Sequence, residues 1–380
     1  MSTGLSRDER IAGLDGIRAG AFLLVLCGHC GLTWVPNGFG VTVFFFLSGY
    51  LITTLLRREW IRSGDLSIRR FYIRRAFRIL PPVYCAMALA FVAAWIGILH
   101  APLQWRGFAA IQLFLTNYAE QVHGLTIPLG LSPLWSLAVE EHFYLLFPVL
   151  YLGLQRSGLS RNRQAMWLGG ACVAALVWRV IMMGPLQANW NRVYTGTDTR
   201  LDSILFGAIL AIAANPAIDS FPKLSRRVCA VAALVALVIL LISIAARDEF
   251  FRQTARYSIQ GVALAPIFFY VVRYPDAYVT RWLNCRFLVT IGDLSYALYV
   301  FHYTVMFAVQ TWITQNAVAT LALTFTITVA LGELSRHLIE LPAARWRNRI
   351  LQRNLARASK PLPVEARQPL RRESASTGEL

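Results

Sequence analysis

The chain has 380 residues, 56% of them hydrophobic and only 15% charged, and the apolar residues are gathered in long blocks. Blocks of that kind exclude an ordinary soluble globule and define an all-α, polytopic integral membrane protein. The net charge of +17 would suit nucleic acid, but Lys and Arg concentrate between the apolar blocks and in the C-terminal stretch, a distribution that orients a chain in a membrane.

The predicted spans fall at roughly 17–34, 41–56, 82–100, 131–154, 165–183, 200–215, 228–246, 258–272, 287–310 and 317–335. Asp8, Glu9 and Asp15 precede the first, and no small-residue cleavage pattern follows it, so it reads as a retained span and not a leader. A weaker stretch at 108–118 would rise only about 16 Å as a helix and reads as re-entrant or interfacial. Ten spans put both termini on one side of the membrane. The connector 57–80 carries eight arginines against two acids, 155–164, 216–227 and 273–286 carry three basic residues each, and nine more follow residue 340. All lie on the same side, which positive charge marks as cytosolic. The loop 247–257, with three arginines and two acids, is the discordant exterior segment. The organisation read from this is a cytosolic N-terminal segment at 1–10, a transmembrane domain at 11–340 and a basic, partly disordered cytosolic tail at 341–380.

In the first span Arg18 and His29 stand eleven residues apart. At about 100° per residue they return to one face, about 16 Å apart along the axis. With Arg18 at one interface, His29 would lie near the middle of a hydrocarbon layer of roughly 30 Å, where an ionisable group marks a functional site and needs a polar cavity. Cys27 and Cys30 flank that histidine, but not in the order of a haem-attachment motif, so neither a metal nor a permanently bound cofactor is expected. The six cysteines read as small packing residues and not as a disulfide framework.

Ser48 and Gly49 interrupt the second span about 10 Å below the exterior surface, the glycine permitting close backbone approach. Arg69, Arg70, Arg74, Arg75 and Arg78 then precede a Pro81-Pro82 break and the third span. This cluster suits either anchoring to lipid headgroups or a guanidinium clamp for a multiply phosphorylated ligand. The fourth span buries Glu140 and Glu141 about 13 Å deep and about 100° apart, where a carboxylate faces a cavity or ties helices together. By this arithmetic His29, Ser48 and Glu141 reach one level from three helices. Asp198, Arg200, Asp202 and His302 stand toward the exterior half, either as a polar vestibule for a hydroxyl-rich acceptor or as an interhelical ion pair beside an interfacial histidine.

Taken in order, the Arg18-to-His29 spacing, FFFLSGYLI, FYIRRAFRILPP, LWSLAVEEHFYLLFP, RLDSILFGAIL and LSYALYVFH resemble the membrane acyltransferase-3 family of polysaccharide and antibiotic O-acyltransferases, over residues 11–340. The resemblance implies a multi-pass enzyme of the bacterial inner membrane. It would move an acyl group, commonly acetyl, from cytosolic acyl-CoA to a hydroxyl of a carbohydrate, glycolipid or glycosylated metabolite at the exterior face. Acyl-CoA, the acceptor and membrane lipid would be its partners, and nucleic acid would not. The family's functional Arg and His map to Arg18 and His29, its paired glutamates to Glu140 and Glu141, and its basic RxxR to Arg75 and Arg78, with Arg70 and Arg74 beside them as phosphate contacts. His29 would act as general base, Glu141 would orient it or stabilise its cation, and Ser48 or nearby backbone amides would donate to the oxyanion. His142 stands where the family usually has glutamine, and the chain resembles the stand-alone type without an extra-cytoplasmic hydrolase-like domain. The alternative is a transporter or flippase that uses the same His, Arg and Glu as a proton relay.

Overall fold

The computed structural model describes residues 10–99, 104–119, 121 and 125–358, so most of the expected N-terminal segment and the tail from Ser359 lie outside the described residues. Within them the chain is helical and contains no strand. In chain order the helices are α1 (Leu14–His29), α2 (Asn37–Ser63), α3 (Ile68–Trp95), α4 (Trp105–Gln112), α5 (Thr116–Ala119), α6 (Trp135–Arg156), α7 (Arg161–Met183) and α8 (Trp190–Thr195). They are followed by α9 (Thr197–Ala213), α10 (Arg226–Ala245), α11 (Glu249–Gln253), α12 (Ala255–Arg273), α13 (Arg286–Trp312), α14 (Ala317–Ser335) and α15 (Leu341–Ala358). Several starts are written in the sequence as side-chain caps: Ser67, Ser160, Ser225 and Asn316 each accept a backbone N–H from the first turn.

Seven helices are long and apolar enough to cross a membrane: α2, α3, α6 with the turn before it, α7, α10, α12 and α14 with its continuation. The other three expected spans fall short of that description for a reason. Helices α1 and α9 have 16 and 17 residues, and α13 carries Asp293 and His302 along its 27. Each packs on several neighbours: α1 on α2 and α13, α9 on α2 and α7, and α13 on α1 and α14. The stretch at 108–118 forms no span: α4 and α5 have eight and four residues, and a left-handed Phe114 (φ 55°) turns the chain between them.

The Pro81-Pro82 pair does not break the chain as expected. Helix α3 runs unbroken through both prolines, so the arginine cluster and the apolar part that follows share one rod. The missing proline N–H groups withhold the usual donors from the Phe77 and Arg78 carbonyls, and at the next carbonyl the neighbouring helix binds, with Tyr296 donating to Ile79 at 2.8 Å. Elsewhere helices touch through glycine. A Cβ on Gly49 of α2 would strike the Ile204 carbonyl, and one on Gly207 of α9 the Phe46 carbonyl, so the two helices cross backbone to backbone. Helix α1 is held between α2 and α13, and that places the site.

Candidate active site

His29 is the last residue of α1. The apolar run continues through Leu32 and Val35, but Gly31 (φ 99°) turns the chain out of the helix, so the histidine stands at a helix end. Its Nδ1 lies 2.9 Å from Nε2 of His302, and the two rings are parallel to within 2°. His302 in turn places its own Nδ1 2.6 Å from the Tyr299 carbonyl oxygen. A carbonyl can only accept, so His302 carries its proton on Nδ1 and leaves Nε2 bare. That bare nitrogen accepts the Nδ1–H of His29, and the remaining lone pair of the dyad falls on His29 Nε2. His302 is 0% exposed whereas His29 is half-buried, so the free base is on the accessible member. His302 therefore lies behind His29 and not in an open vestibule.

The second cluster lies farther along the bundle. Ser48 of α2 donates to Glu140 Oε1 at 3.0 Å, and Tyr144, one helical turn beyond Glu140, donates to its Oε2 at 2.8 Å while standing 2.9 Å from Ser48 Oγ. Ser48 thus meets Glu140 and not Glu141 or His29, and its hydroxyl proton is committed to that carboxylate. Glu141, about 100° round the helix, turns aside; its Oε1 is buried with no hydrogen-bond partner among the described residues, and Arg75 is the countercharge acting on it. Ser48, Glu140, Tyr144, Arg18, Arg75 and Tyr299 line a narrow cavity of about 90 Å³. Arg18 also bonds Asp15 at 3.1 Å, and Arg75 lies 4.6 Å over the Tyr144 ring. Arg18 lines this cavity and His29, eleven residues on along the same helix, does not.

A larger cavity of about 460 Å³ opens at the arginine-rich end, and Arg70, Arg74, Arg75 and Arg78 all line it. Arg74 is held by Glu59 at 3.1 Å. Arg75, Arg78 and Tyr296 line both cavities, so the two adjoin at these side chains. The narrow cavity reaches Ser136 and Tyr299, whose hydroxyls are 2.6 Å apart. Tyr299 is the link to the dyad: its ring faces the channel while its carbonyl fixes His302.

Asp198, Arg200 and Asp202 do not form one cluster. Asp202 is fully buried and doubly bonded to Arg179 of α7, at 2.9 and 2.7 Å, an interhelical ion pair with a partner other than Arg200. Asp198 accepts from Arg192, Trp178 and Tyr118. Arg200 is enclosed, 3.8 Å over the Tyr257 ring and bonded to Thr42 at 3.1 Å. His142 bonds Thr197 at 2.7 Å and ties α6 to the start of α9. Tyr144, Tyr296 and Tyr299 were not singled out from the sequence, although Tyr144 at i+4 from Glu140 was readable from helical spacing. Among the described residues no group of His, Cys, Asp and Glu is arranged to hold a metal.

A helical membrane bundle with an oriented imidazole base and an arginine-lined cavity has the parts of an intramembrane group-transfer protein. Comparison with known proteins makes the class specific: the chain belongs to the acyltransferase-3 family, whose acyltransferase domain matches residues 11–332. It is 30% identical over 347 residues to the peptidoglycan O-acetyltransferase OatA of Listeria monocytogenes, covering 87% of this chain and 55% of that protein. It is 29% identical over 347 residues to the O-acetyltransferase OatA of Staphylococcus aureus, covering 87% of this chain and 57% of the relative. The chain thus spans little more than half the length of these relatives. No solved structure matches it.

Proposed function

We propose that this protein is an integral-membrane O-acyltransferase that moves an acyl group, acetyl in the simplest case, from acyl-CoA to a hydroxyl of a carbohydrate or glycoconjugate. The arginine-lined cavity receives the nucleotide phosphates from the cytosol, because planar guanidinium groups give paired contacts to phosphate oxygens. The pantetheine arm enters the narrow cavity between Arg75, Arg78 and Tyr296 and carries the thioester toward Tyr299. The acceptor hydroxyl approaches His29 from the opposite face of the inner membrane. Basic connectors and relatives named as O-acetyltransferases support this orientation and chemistry.

In the reaction His29 Nε2 takes the hydroxyl proton as the oxygen attacks the thioester carbonyl. Charge gathers on the carbonyl oxygen, and the C–S bond then breaks. The departing thiolate takes the proton back from His29, so the enzyme ends as it began. His302 and the Tyr299 carbonyl keep the His29 lone pair on the outward nitrogen throughout, the orienting part that the sequence reading gave to Glu141. Tyr299 borders both the narrow cavity and the dyad, its ring 5.4 Å from that of His302 and 6.0 Å from that of Phe44. Swinging it off Ser136 brings thioester and hydroxyl together.

The observation that carries this reading is the junction of the two cavities at Arg75, Arg78 and Tyr296, with the inner one ending on the residue that orients the histidine pair. Purified protein incubated with radiolabelled acetyl-CoA and a glycan mixture tests it. Label is expected in the glycan fraction. A transporter that uses the same groups as a proton relay would leave no covalently labelled product.

A further inference from the structure

The arginine-lined cavity has a wall that lies beyond the matched family domain. Glu340, Ala344 and Arg347 line it, whereas the family match stops at residue 332. Helix α14 does not end at the edge of the bundle: a π-turn at Arg336–Glu340 carries it into α15. A wide turn of this kind shifts the phase of a helix face and is common at functional sites. Helix α15 packs on α3, where Trp346 meets Phe77 edge-on at 5.3 Å, and Phe77 is itself a lining residue. Ala344 and Arg347, three residues apart, share the face toward the cavity, whereas Arg345 and Arg349 are exposed.

The cavity is built for anions. Seven arginines and four acids line it, and three of those acids are already occupied: Glu59 by Arg74 at 3.1 Å, Asp65 by Arg156 at 3.3 Å and Asp293 by Arg10 at 2.6 Å. Its volume of about 460 Å³ fits a small polyanionic ligand. A lipid surface would meet the outward Arg345 and Arg349, whereas Arg347 lines the cavity, its guanidinium also donating to Asn348 at 3.2 and 3.1 Å.

We propose that α15 is a wall of the donor site, with Arg347 contacting the phosphate-bearing outer end of a nucleotide-type acyl donor opposite Arg58, Arg62 and Arg70. The proposal rests on the donor reading above and extends it to a helix outside the family domain. Calorimetric titration of CoA into the full-length protein in detergent tests it, comparing wild type, Arg347→Glu and the outward-facing Arg349→Glu, with melting temperatures alongside. Arg347→Glu is expected to weaken CoA binding about tenfold at an unchanged melting temperature, and Arg349→Glu less than about twofold. In turnover the Arg347 variant raises the KM for acetyl-CoA and leaves kcat in place. Wild-type affinity in Arg347→Glu overturns the role given to α15 while leaving the donor reading intact. An equal loss in Arg349→Glu also overturns it, because long-range charge and not contact would then explain the effect. A wild-type protein that binds no CoA removes the donor reading itself.

Discussion

Two buried polar clusters in this bundle look alike in the sequence and differ in what surrounds them. Arg179 and Asp202 are 0% exposed, bonded to one another twice, and closed off by Ser258 and the carbonyls of Thr199 and Thr254. Glu140, Ser48 and Tyr144 are equally well bonded among themselves, yet they border a cavity shared with Arg18 and Arg75. Burial of charge alone therefore does not mark a site. A buried charge without adjoining space ties helices together, whereas one beside space can act on a ligand.

The comparison is broken most readily at its structural member. Arg179→Ala leaves Asp202 buried without a countercharge, and a loss of about 3–5 kcal/mol is expected, seen as a collapse of folded protein in the membrane fraction. Replacing both partners with apolar residues is expected to restore much of that yield. A stable but inactive Arg179→Ala protein would erase the distinction. His29→Ala is expected to fold normally, with a melting temperature close to wild type, and to lose about 10²- to 10⁴-fold in acyl transfer. His302→Ala should lose about 10- to 100-fold, and adding it to His29→Ala should cost little more, because the two act as one unit. Additive losses would mean that His302 works elsewhere.

Arg78→Ala, at the junction of the cavities, is expected to raise the KM for acetyl-CoA about tenfold with a smaller change in kcat. The smallest effect lies outside both clusters, in the connection between α9 and α10. Burial alone would raise the Asp219 carboxyl, but hydrogen bonds from Arg57, the Asn215 amide and Arg161 outweigh it and hold the group below its ordinary value. A carboxyl lowered in the folded state binds fewer protons folded than unfolded. Its stabilisation is present above the unfolded value of about 4 and is lost as pH falls through the folded one. Asp219→Asn should therefore melt somewhat lower than wild type at neutral pH and lose less on acidification between about pH 5 and 3.

Much of the architecture could be read from the chain, because long apolar blocks separated by arginine-rich connectors leave few alternatives to a helical membrane bundle. The positions of Arg18, His29, Ser48 and Glu140 could be read as well, since polar residues in such blocks are conspicuous. Their partners could not. The apolar run from residue 17 extends to residue 34, yet a single left-handed glycine, Gly31, decides that the helix stops at His29. Asp202 finds Arg179, 23 residues earlier on another helix, and not Arg200 two residues away on its own. Glu140 and Glu141 were indistinguishable by depth, and only the position of Ser48 across the helix interface selects Glu140. Helix α15 was hidden because its polar composition resembles a tail, and packing on α3 gives it a role that hydropathy does not register.

The proposed function has one imidazole nitrogen, that of His29, act on an acyl donor that enters through the arginine-lined end. Sealed proteoliposomes with the protein in one orientation, radiolabelled acetyl-CoA supplied only at that end and a hydroxyl acceptor only at the other, put it to trial. Wild-type protein should label the acceptor across the intact bilayer, and His29→Ala should leave it unlabelled. Transfer by His29→Ala at the wild-type rate would contradict the mechanism outright.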